Sequence, residues 1–175
     1  MTIPPFPVHF SFSPQESHLL SQSKPFTNLL SSLARKRWLA EVFNDLVSMG
    51  VCSYHSTNIQ TKLAEKDEKN EELYLQTAGK YSKEELETFA KALGTLSLQV
   101  NEEPYSDLLG QYFTEHVTNG HNGQFFTPDA IGSLMGVMVS SGQTVEHKTV
   151  LDPSCGSSRL LLNFAAKHYT YEMRS

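Results

Sequence analysis

Two short segments combine residue types that can do chemistry: GQFFTPDAI at Gly123–Ile131 and VLDPSCGSSRLLL at Val150–Leu162. In the second, an apolar run stops at Asp152-Pro153, passes through small residues and resumes as another apolar run. A strand that ends in such a loop and opens a helix leaves backbone N–H groups free above the strand end, where open α/β sheets bind ligands. Asp152 at the tip can orient backbone amides or accept from a ligand hydroxyl. Gly156 permits close backbone approach, and Ser157 and Ser158 supply donors at the helix start. Taken alone, the loop is equally compatible with a tight connection that holds nothing. Neither phosphate-binding pattern, GxxxxGK[ST] or GxGxxG, is present. Cys155 reads as a small packing residue.

In the first segment, Thr127 followed by Pro128 and Asp129 predicts a helix start. Thr127 provides a capping hydroxyl, Pro128 needs no donor there, and Asp129 faces the positive end of the dipole. Ile131, Leu134, Met135, Met138 and Val139 give that helix an apolar face. Beyond it, Thr149 to Asp152 predicts a short strand, and the residues from Ser158 to His168 a helix.

The elements upstream are helical in pattern. Residues 1–25 hold five of the eight prolines and read as an extended arm. Apolar residues from Phe26 to Val47 recur at spacings of three and four and predict one amphipathic helix ending near Gly50. Arg35, Lys36 and Arg37 beside Trp38 read as its wet side. The charge run from Glu65 to Glu72 is a solvated face or loop. Ser82 and Glu85 match a capping box, opening a helix that runs toward Pro104, and a further helix is expected from Tyr105 to about Val117.

At 175 residues with a mean hydropathy of -0.34, the chain has room for one domain and part of another. No apolar run approaches the roughly 20 residues a bilayer requires, and no secretion signal is evident, so a cytoplasmic protein is expected. A net charge of -5 argues against a chain that wraps nucleic acid unaided. Cys52 and Cys155 form no CxxC pair, and His116 and His121 do not share a helical face, so no metal site is expected.

The two segments together resemble the paired signature of the adenine-specific N6 DNA methyltransferases, in particular the modification subunits of type I restriction systems. In that family a G-[QE]-[FY]-[FY]-T-P segment precedes a D-P-[AS]-C-G-[ST]-G loop by about this distance. YSDLLGQYFTEHV, starting at Tyr105, looks like the helix the family places just upstream. The resemblance implies S-adenosylmethionine as cofactor, held by Gln124, Phe125, Phe126, Thr127 and Pro128 at its methionine end and by Asp152, Gly156, Ser157 and Ser158 in the loop. The implied roles are chemically sound. A helix start attracts a carboxylate, and an aromatic ring suits a sulfonium cation. The family has glycine where this chain has Ser158, and often where it has Arg159. A side chain at a position requiring positive φ costs on the order of 1 kcal/mol.

The resemblance also implies methyl transfer to the N6 amino group of adenine in DNA, within a restriction-modification system and with a specificity subunit as a partner. The family's [DN]-P-P-[FY] motif, which receives the flipped base, is not matched. The one Pro-Pro pair sits in IPPF at Ile3–Phe6, and Ile3 carries no acceptor. No catalytic residue is therefore assigned, and the chain alone is expected to be inactive. Glu172 is a weak candidate for an acid binding the ribose. The expected architecture is a mainly α N-terminal domain at 26–122 after the arm at 1–25. The beginning of an α/β Rossmann-like methyltransferase domain follows at 123–175, with one β-loop-α unit and an incomplete sheet. A non-catalytic interaction module keeping a degenerate cofactor loop is the alternative.

Overall fold

The structure is a computed structural model and describes residues 23–60, 65–118, 127–140 and 150–172. Its elements are α1 (Ser23–Leu33), α2 (Leu39–Gln60), α3 (Glu68–Ala78), α4 (Lys83–Glu102), α5 (Leu108–Tyr112) continued by a π-helical stretch (Phe113–Thr118), α6 (Asp129–Ser140) and α7 (Arg159–Glu172). Two compact units divide the chain, Met1–Gln99 and Val100–Ser175.

In the first unit the helices form because their apolar residues fall on one face. Phe26, Leu30 and Leu33 of α1, Val42, Leu46 and Met49 of α2, and Phe89, Ala92 and Leu96 of α4 are buried at three- and four-residue spacings. Helices α2 and α4 approach closely at Gly50, where an added Cβ would lie 3.0 Å from the Leu93 side chain. The expected capping box is present. Glu85 Oε2 accepts from the Ser82 backbone N–H at 2.8 Å, and the Glu85 N–H donates to Ser82 Oγ at 3.3 Å. Two donors of the helix start are thereby satisfied reciprocally.

The single helix expected from Phe26 to Gly50 is instead two, broken at residues 34–38. Tertiary contacts cause the break. Arg37 donates to Glu85 Oε1 at 2.9 Å and to the Lys80 carbonyl at 2.7 Å, and its guanidinium lies 4.4 Å from the Tyr81 ring centre. Tyr81 stacks edge-on against Phe89 at 4.7 Å and donates to the buried Asp45 at 2.6 Å, which also accepts from Lys80 at 3.0 Å. These contacts satisfy a charge inside the helix packing. Burial, then the Asp45 carboxylate, pushes the Tyr81 phenol well above its ordinary range.

The expected Rossmann-like start, a β-loop-α unit, is not what the second unit shows. No strand occurs among the described residues; 150–152 have no regular structure, and Leu151 is 88% exposed. A strand is defined by the neighbour it pairs with, and no described segment offers one to Val150–Asp152. What the second unit contains is a helix pair. Helix α6 lies on α7 through glycine: a Cβ on Gly132 would fall 2.8 Å from Asn163 Nδ2, and one on Gly136 3.2 Å from the Asn163 carbonyl oxygen. Ser133 donates to Asn163 Oδ1 at 2.8 Å across the same contact. Because small residues make this approach, the larger ones face out: Ile131, Leu134, Met138 and Val139 are all exposed.

Candidate functional site

The loop between Val150 and α7 is built from successive turns. Asp152 Oδ1 accepts from the Ser154 backbone N–H at 2.9 Å. This Asx turn carries out the backbone-orienting role read from the sequence. The Ser158 N–H donates to the Cys155 carbonyl at 2.6 Å. Gly156 sits at φ +53°, and no atom of the described residues lies within 4 Å of where a Cβ would stand. The backbone there is left-handed and open to solvent, the condition under which a ligand can approach it closely. Asp152 Oδ2 is buried and has no hydrogen-bond partner among the described residues. Cys155 is exposed rather than packed.

Ser158 adopts φ +64°. The position where the resembling family has glycine thus has the backbone that favours glycine, and the serine stands there against a cost of about 1 kcal/mol. Helix α7 starts at the next residue, its first turn closed by the Leu162 N–H on the Ser158 carbonyl at 2.9 Å.

Helix α6 begins at Asp129, and the carbonyl of Pro128 accepts its first bonds, from Ile131 at 3.0 Å and Gly132 at 3.1 Å. Pro128 therefore holds the capping position expected of Thr127. Thr127 contributes its carbonyl instead, which accepts from Arg159 Nη1 at 2.7 Å. Gln124, Phe125 and Phe126 lie outside the described residues. Glu172 closes helix α7, so the strand that would carry it as a ribose acid is not formed.

The structure adds Asp107, which the sequence did not single out, and gives Arg159, read from the sequence only as a departure from glycine, a role. Asp107 caps α5, with Oδ1 accepting from the Gly110 N–H at 2.8 Å. Its Oδ2 accepts from Ser157 Oγ at 2.6 Å and from Arg159 Nε at 3.0 Å. Both side chains of the ion pair are nearly enclosed, 9% exposed for Arg159 and 5% for Asp107. A signal was available. Arg159 is a lone cation leading an apolar run, SRLLL, and a cation at the positive end of a helix dipole is unfavourable without an acid beside it.

This arrangement joins three stretches of chain: the cap of α5, the loop before α7, and Thr127, two residues before the start of α6. Residues 102–173, which contain all three, match the family model described as N-6 DNA methylase. In this segment the chain is similar to the N-6 DNA methylases. No curated protein and no solved structure matches the chain. The methylase family acts on DNA, and the matched segment takes in both motif regions together with the Asp107 helix that precedes them. No described helix is long and apolar enough to cross a membrane.

Proposed function

We propose that the methylase segment binds S-adenosylmethionine at the Asp152–Ser158 loop and the start of α6, as part of the machinery that methylates adenine N6 in DNA. The observation that carries this reading is Gly156. Its left-handed backbone, open on the side where a Cβ would stand, lies in the loop that the family signature assigns to the cofactor. The donor set fits such a ligand. Gly156 and Ser157 offer a loop for close approach, the α6 start offers free amides and the positive end of a dipole to a carboxylate, and Asp152 brings an acceptor. Phe125 or Phe126, Gln124, Thr127 and Pro128 complete the set for the methionine end.

When bound, the cofactor supplies an electrophilic methyl group on sulfur. The chain's own contribution is to hold and orient it. The sequence contains no [DN]-P-P-[FY] motif to receive the adenine, so the chain by itself binds without turnover. A specificity subunit and a restriction-modification setting belong to the same proposal.

Calorimetric titration of S-adenosylmethionine into the chain and into Gly156→Val tests it. A branched side chain on this left-handed backbone blocks the approach. Affinity should fall at least 10-fold, about 1.4 kcal/mol, with helicity retained by circular dichroism. No binding to the parent chain would refute the proposal and favour an interaction module that keeps only the loop's shape.

A further inference from the structure

We propose that Arg159 and Asp107 form a latch that holds the loop before α7 in its ligand-ready shape, with Arg159 as a positioning residue for the cofactor site. The inference rests on the cofactor reading above and adds residues that reading does not use. Ser157 and Arg159 flank Ser158 and both donate to one atom, Asp107 Oδ2, at 2.6 and 3.0 Å. Bringing the two side chains onto that one acceptor requires the backbone between them to turn sharply. The left-handed φ of Ser158 supplies the turn, and the two bonds to Asp107 offset its cost.

Arg159 then reaches further. Its Nη1 donates to the Thr127 carbonyl at 2.7 Å, so one guanidinium ties the loop to the chain two residues before α6 and, through Asp107, to the cap of α5. The rigid fork of the guanidinium suits it to hold two acceptors at once. The loop and the α6 start are the two parts of the proposed cofactor site, and Arg159 joins them. Its Nη2, also buried, has no hydrogen-bond partner among the described residues.

The test uses the full chain with Arg159→Ala and Asp107→Asn, read by amide hydrogen exchange and by S-adenosylmethionine titration. Exchange at 150–158 and at Asp129–Gly132 should rise at least 10-fold in both variants, while Leu39–Gln60 keeps its protection. Millimolar methylguanidinium should restore protection and affinity to Arg159→Ala but not to Asp107→Asn, a rescue that general unfolding would not show. If Arg159→Ala unfolds, Arg159→Lys retains the charge but cannot span Asp107 and Thr127 together. It should show the same local pattern with a folded core.

Unchanged exchange in the variants overturns the latch. Faster exchange with unchanged affinity overturns its role in positioning the site. A parent chain that binds no S-adenosylmethionine, but shows the local exchange and its rescue, keeps the latch and refutes the cofactor reading alone.

Discussion

Gly110→Ala should destabilise the second unit, although glycine-to-alanine changes inside helices ordinarily stabilise by about 1 kcal/mol. A Cβ on Gly110 would stand 2.6 Å from Asp107 Oδ1 and 2.7 Å from its Cγ, with Oδ2 closer still. Such distances require the carboxylate to move. It is not free to do so, because Gly110, Ser157 and Arg159 all donate to it. Displacing it loses a helix cap, about 1 kcal/mol, and leaves the buried guanidinium without its counter-charge, about 3 kcal/mol at the low end for such pairs. Subtracting the propensity gain of about 1 kcal/mol leaves a net loss of about 3 kcal/mol. Amides that exchange by opening of this unit should then exchange on the order of 100-fold faster. The assay is hydrogen exchange by mass spectrometry on Gly110→Ala, Asp107→Ala and the double variant. In the Asp107→Ala background no carboxylate opposes the new methyl group, and the same substitution should become neutral or stabilising. A neutral or stabilising effect in the parent background would refute the reasoning, because it would mean that Asp107 is not held where its hydrogen bonds place it.

Three further outcomes follow from the geometry. Ser158→Gly should relieve the left-handed backbone at that position. It should stabilise the loop by about 1 kcal/mol and tighten S-adenosylmethionine binding; a loss of stability in urea unfolding would contradict this. Gly136→Val should separate α6 from α7 by driving a branched side chain into the Asn163 backbone. The cost should be about 1–3 kcal/mol, seen as lost protection confined to these helices. The Glu85 carboxyl is held below the usual range first by the Ser82 N–H and further by Arg37. Because its folded-state value is lowered, its contribution is complete above about pH 4.5 and lost as pH falls through the lower folded-state value. Glu85→Gln should flatten that part of the stability profile, and an unchanged acid limb would remove Glu85 as its source.

How much of this was legible in the sequence depended on whether the cause was local. The Ser82–Glu85 capping box is a local exchange of hydrogen bonds, and the residue types at that spacing announce it. The break at residues 34–38 carries no glycine or proline, and Ala, Arg and Lys are good helix formers. It is set by Tyr81, Lys80 and Glu85, more than forty positions away in sequence, which draw Arg37 out of the helical path. The loop at Asp152–Ser158 was readable because glycine and small residues between apolar runs have few uses. The strand before it was not, since an apolar run does not specify whether a pairing partner exists. The part played by Arg159 is hidden for a related reason. In the sequence it is a bulky departure from glycine, and only the fold shows Asp107 opposite it, capping a helix 52 residues earlier.

The most direct test of the account is ultraviolet crosslinking of methyl-labelled S-adenosylmethionine to the chain, followed by peptide mapping. Label should fall on peptides containing Gln124–Pro128 or Asp152–Arg159, be displaced by unlabelled S-adenosylhomocysteine and be lost in Gly156→Val. Label spread over α1–α4, or label at the loop that survives Gly156→Val undiminished, would contradict the assignment of the cofactor to this site.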